Sequence, residues 1–311
     1  MPSTYAHLRL GREVLRRLEG RDGDVCAAHE DLFLIGLHGP DVLFYYDALH
    51  RNPVSAIGFA MHDRPGREFF THAREAVSET GDAGRAYAYG FACHFALDSE
   101  AHPYIEDYIH AHGVAHTAIE GEFDRMLLER DGIEPARAYL AGHISTDADG
   151  CAVIARFLPD VTAEQVAKAL DDMRRYNRLL VAPGRLKRGL IEHELRKTGN
   201  YDDMVGLILR NDPDPRCEES DAALDRIYEG AVDLSLELIG HLGSFFDGGV
   251  DDLPPRFDRT FSYMRRRRSG LSDATGPSLR KLLRTISCIS NLLSLYDSMT
   301  SSALRTHSAS Y

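Results

Sequence analysis

The chain has no tryptophan, and its five cysteines (Cys26, Cys93, Cys151, Cys217 and Cys288) are scattered, odd in number and without a C-x-x-C pair. That pattern excludes a disulfide framework and a zinc ribbon. No run approaches the roughly eighteen apolar residues that a membrane span needs. The opening MPSTYAHLRLGREVLRRLEG lacks a basic start followed by an apolar core, so no secretory signal is expected and the chain reads as cytoplasmic. Cations are in deficit, 36 Lys and Arg against 48 Asp and Glu for a net charge of −12, which disfavours general nucleic-acid binding. Strand-type alternation is almost missing, and no repeat of solenoid period is visible.

What is present is helical. With 311 residues, 43% hydrophobic and 27% charged, the composition is that of a globular protein with room for a sizeable core. Apolar positions recur at helical spacing over about 4–19, 24–37, 67–80, 84–110, 113–130, 162–180, 183–197, 201–210, 218–245 and 277–305, with Pro and Gly between them. The expected fold class is all-α, a multi-helical bundle. Two units are expected: a helical domain over 1–250, and a linker with a basic amphipathic helical extension over 251–311. FDGGVDDLPP (246–255) reads as the connection. From Arg256 onward ten Lys and Arg face three acids, leaving the first 255 residues about −19. Such a tail suits docking on the acidic body, a partner, or peripheral contact with an anionic membrane.

The densest chemistry lies in YGFACHFALDSEAHPYIEDYIHAHGVAHTAIE (89–120), which holds His94, Asp98, His102, His116 and Glu120. The four-residue steps return to one helix face, so His94, Asp98 and His102 make one polar stripe and His116 and Glu120 a second on the next helix. Phe91, Ala92, Phe95, Ala96 and Leu97 surround the first stripe, which predicts burial. Buried imidazoles and carboxylates need partners, and a shared metal is one of few ways to satisfy several together. A solvated His–acid ladder is the alternative. Pro103 is expected to end or kink the helix just after His102.

Three further polar positions lie upstream: His7 in TYAHLRLG, Asp41 after the Gly39-Pro40 break, and His62 in GFAMHDRPG. With this ordered set, residues 4–125 or so resemble the zinc-dependent phospholipase C family, the bacterial phosphatidylcholine-preferring type. The resemblance implies a zinc-dependent hydrolase of a phosphoester, a phospholipid among the candidate substrates. It makes His62, His94 and Asp98 ligands of one zinc, with Asp98 bridging to another. It makes His102, His116 and Glu120 ligands of a second, and His7 of a third. Asp41 is implied as the general base. Secreted members use a terminal tryptophan as a zinc anchor; this chain has none, so the third ion lacks that anchor. Two other readings stay open: a phosphoesterase or nuclease on a soluble substrate, and a non-catalytic helical protein with a structural metal. A di-iron bundle fits poorly, since no Glu stands three residues before any histidine. His38 is either in support of the site or on a loop surface; His143 and the other unpaired histidines read as structural or solvated.

Overall fold

A computed structural model describes residues 4–48, 52–197, 199 and 201–261. The amphipathic segment expected near 277–305 and the Arg265–Arg268 run lie outside the described residues. Within them there are eleven α-helices and no strand: α1 (Thr4–Arg17), α2 (Gly20–Ala28), α3 (Glu30–Gly36), α4 (Pro53–His62), α5 (Gly66–His112), α6 (His116–Arg130), α7 (Ala148–Ala155), α8 (Ala163–Leu180), α9 (Arg185–Lys197), α10 (Tyr201–Met204) and α11 (Glu218–Phe246). None is long and apolar enough to cross a membrane.

α5 is the axis. It is buried without a break from Gly84 to Ser99, and α3 and α11 lie along it. The α3 contact depends on two missing side chains. A Cβ on Gly90 would lie 2.0 Å from the Phe33 carbonyl oxygen, and one on Gly36 2.3 Å from that of Tyr87. Backbone therefore meets backbone, which delivers the end of α3 to the middle of α5. On another side, Phe70, Phe91 and Phe95 of α5 pack edge-on and stacked with Phe257 and Phe261. The chain beyond α11, expected as a connection, thus returns to the core through the 3-10 turn Pro255–Asp258. Arg256 and Arg259 both reach Glu100, so this part of the basic stretch does dock on the acidic body.

Several boundaries differ from the sequence reading. The 24–37 helix is broken at His29, and the 201–210 helix gives way after Met204 to a 3-10 turn over Val205–Leu207. Two short helices, α4 and α7, were not anticipated. α4 is opened by Asn52, whose side chain accepts the Ser55 amide at 2.8 Å, with Pro53 in its first turn. Pro103 does not end α5, which runs on to His112. The carbonyl that proline leaves without its helical donor is that of Ser99, and Arg259 Nη1 donates to it at 3.3 Å. The helix does bend earlier, at Gly81.

Candidate metal centre

Five segments converge on one buried region. α1 supplies His7 and the 3-10 turn Gly39–Tyr45 supplies Asp41. His62 ends α4, the middle of α5 carries His94, Asp98 and His102, and the first turns of α6 carry His116 and Glu120. The short turn 113–115 leads into α6, whose first turns bring His116 and Glu120 to His102 of the longer helix. Gly39 has a left-handed φ of +50°, and a Cβ on it would sit 2.2 Å from the His94 ring. The turn that places Asp41 can pass so close to His94 only with glycine there.

All eight expected side chains are near one another. Their donor atoms form three groups: His7, His94 and Asp98; Asp41, His62 and His94; His102, His116 and Glu120. His7 Nε2 is 3.2 Å from Asp98 Oδ1, and His94 Nε2 is 3.1 Å from Asp98 Oδ2. His62 Nε2 lies 3.0 Å from Asp41 Oδ1. His116 Nε2 lies 3.0 Å from Glu120 Oε2, and His102 Nε2 is 3.5 Å from Glu120 Oε1 and 3.9 Å from Asp98 Oδ1. The arrangement differs from the expected ligand sets in two respects. His7 joins Asp98 and His94 instead of standing apart, and His62 faces Asp41.

The protonation pattern tests whether a cation suits this set. A carbonyl oxygen can only accept, so an imidazole nitrogen bonded to one must carry the proton. His94 Nδ1 donates to Leu37 O at 3.2 Å, His62 Nδ1 to Gly58 O at 2.9 Å, and His102 Nδ1 to Phe261 O at 2.6 Å. In the neutral ring each Nε2 is then a lone pair aimed at a carboxylate. Two acceptors facing one another need a cation, either a proton on the ring or a metal shared between them. His94 Nε2 and Glu120 Oε2 are buried with no hydrogen bond although Asp98 Oδ2 and His116 Nε2 lie near 3 Å, as two facing lone pairs would be. Imidazole and carboxylate are also the donor types zinc takes. The residues fit the metal.

Burial works against the charges of Asp41, Asp98, His116 and Glu120, and their pairings reverse it. Burial would raise Asp98 and Glu120, but the facing imidazoles hold both carboxyls well below their usual range. Asp41 is likewise held low against its burial, by the positive charge of the chain's amino terminus and then by His62 and His94. Burial would lower His116, yet Glu120 and Glu106 push it up to about 9. These directions describe a site that attracts cations.

Two features escaped sequence reasoning. Asp124, the next four-residue step after Glu120 on α6, accepts the Tyr5 and Ala6 amides at 3.0 and 2.8 Å. It fixes the first turn of α1, and hence His7; burial pushes its carboxyl up to about 7. The four-residue step was the available signal. His38 and His143 meet Nε2 to Nε2 at 2.7 Å across 105 residues of sequence, with rings stacked at 5.0 Å. Burial lowers both, His143 to about 4, so a neutral pair shares one N–H. His38 also lines the cavity with His7, Asp41, Asp98, His102 and Glu120. No local spacing could reveal that partner.

Over the described residues this fold and donor set define an all-helical protein with a candidate metal centre between buried helices. The chain matches the family described as zinc dependent phospholipase C over residues 6–170, more than half of its length, and it belongs to that family, whose members hydrolyse phosphoric diesters. No curated protein and no solved structure matches it.

Proposed function

We propose that the chain is a zinc-dependent, phospholipase C-like phosphoester hydrolase with its chemistry at this centre. The observation that carries the reading is the set of three imidazoles locked as Nδ1 donors, each turning its Nε2 on a carboxylate, buried for Asp98 and Glu120 and half-buried for Asp41. His7, His94 and Asp98 are assigned to one ion and His102, His116 and Glu120 to another, with His62 beside His94 on the Asp41 side. Zinc held there supplies positive charge against the phosphoryl oxygens and lowers the pKa of an adjacent water.

The protein's own groups do the rest. Asp41 stays ionised and lines the cavity, so it can accept a proton from the attacking water as that oxygen bonds to phosphorus. The bond from phosphorus to the alcohol oxygen breaks, and the leaving oxygen takes up the proton that Asp41 accepted, directly or through solvent, so that the alcohol departs neutral and Asp41 is ionised again. Phe44, stacked at 5.1 Å on His62, excludes water from one side of that histidine. The backbone carbonyls of Leu37, Gly58 and Phe261 hold the rings in one tautomer throughout.

Asp41→Asn tests the assignment. Hydrolysis of a soluble phosphodiester should fall by about 10²- to 10⁴-fold with zinc content unchanged, as for loss of a general base. Loss of zinc together with activity would make Asp41 a ligand instead. Zinc bound by the wild type with no turnover of any phosphoester would leave a structural metal and defeat the proposal.

A further inference from the structure

α9 exposes what a helix normally hides. Leu186 is 74% exposed, the most of any large apolar side chain among the described residues, and Leu190, one turn on, is 36% exposed. Gly189 between them adds no side chain to cover the patch. The opposite face is ordinary: Ile191 and Leu195 are buried and line an apolar pocket with Leu180 and Met204. Thr4 and Tyr45 line that pocket and also the cavity that holds the metal-binding groups. One helix therefore separates solvent from an apolar space beside the centre.

Its charge is also out of step with the rest. Of its five cations, Arg196 pairs with Glu192 at 3.0 Å and Lys197 lies 3.7 Å from Glu194, which leaves a local charge of +3 at Arg185, Lys187 and Arg188, beside Leu186, in a chain of net −12. Lys187 and Arg188 reach back to the carbonyls of Val181 and Ala182, which holds these cations at the base of the leucine patch. Apolar side chains bracketed by cations match a surface of hydrocarbon beneath anionic headgroups. A second copy of this chain would instead bring the same cations together.

We infer that α9 is the face on which the protein settles onto an anionic phospholipid surface, with Leu186 and Leu190 entering the interface. The inference deepens the proposed phosphoesterase reading, since it states how an aggregated substrate comes to lie beside the centre. It places a membrane contact on the described body of the protein, apart from the basic C-terminal extension.

The full chain, zinc-loaded, would be sedimented with vesicles of phosphatidylcholine and phosphatidylserine, beside Leu186→Asp/Leu190→Asp. Vesicle binding should fall about tenfold or more in the double variant, while its zinc content and its rate on soluble bis(p-nitrophenyl) phosphate match wild type. Because the chain has no tryptophan, Leu186→Trp gives a direct reporter. Its emission should shift to shorter wavelength when vesicles are added and stay in place with pure phosphatidylcholine at high salt. Unchanged vesicle binding in the double variant, or emission unmoved by anionic vesicles, overturns the inference. A wild-type dimer that the double variant dissociates, with no vesicle binding by either, overturns it in favour of a second copy. Absence of hydrolysis by the wild type would defeat the proposed activity alone, because vesicle binding is read independently of turnover.

Discussion

α5 and α9 break the same rule in opposite directions. α5 carries His94, Asp98 and His102 through the most deeply buried part of the molecule, whereas α9 carries Leu186 and Leu190 into solvent. Burying ionisable groups costs several kcal/mol unless each is partnered. Exposing two leucines forgoes about 1.5–3 kcal/mol apiece. Neither inversion helps the fold by itself. The buried one is resolved by placing imidazole lone pairs opposite carboxylates, a geometry a shared cation completes. The exposed one has no resolution within the described residues and points outward.

The comparison can be broken most severely at α5. Asp98→Ala removes the carboxylate shared by His7 and His94. It should abolish most zinc binding and reduce hydrolysis by about 10³-fold or more, as for loss of a metal that neutralises the reacting phosphate; mass spectrometry of the native protein and a phosphodiester assay would read both. Retention of full zinc and activity would remove Asp98 from the centre.

Gly90→Ala should come next. The added methyl would overlap the Phe33 carbonyl oxygen, so α3 must back away. A loss of about 1–3 kcal/mol in urea unfolding is expected, with weaker zinc binding because the Leu37 carbonyl that orients His94 moves with α3. A stability equal to wild type would show that this packing is looser than described.

A smaller effect separates buried charge with a partner from buried charge without one. Asp221, at the start of α11, is buried with Oδ1 free of any hydrogen bond, and burial together with Glu122 pushes its carboxyl up to about 7. Its folded pKa is raised, so its contribution favours folding below the unfolded value near 4 and is lost as pH rises through about 7. Asp221→Asn should therefore stabilise by about 1 kcal/mol at pH 8 and by little at pH 4. Equal effects at the two pH values would contradict the assignment. Least of all, Leu186→Ala should change unfolding free energy by under about 0.5 kcal/mol, since that side chain packs on little.

Much of this was legible in the sequence because helical chemistry repeats at short range. The step of four residues put His94, Asp98 and His102 on one face, and the apolar residues around them announced burial. Longer-range partners left no such trace. Arg259, which lets α5 continue past Pro103, is 160 residues from the carbonyl it reaches. The His38–His143 pair and the Phe261 carbonyl on His102 depend on tertiary contacts of the same kind. α4 was missed because ten residues with an apolar character nearly all round carry little periodic signal. Its one informative mark was the Asn52-Pro53 start. The exposure of Leu186 and Leu190 could not be read at all, since a leucine stripe looks the same whether it faces core or water.

The central claim is that these histidines and carboxylates hold zinc. Metal analysis of the purified chain beside His94→Ala/His116→Ala tests it most directly. The account predicts about two to three zinc ions per chain in the wild type, in keeping with the three donor groups, and a loss of most of them in the double variant with helix content retained. A wild-type chain that binds no metal after reconstitution, or a double variant that keeps its full complement, would contradict it.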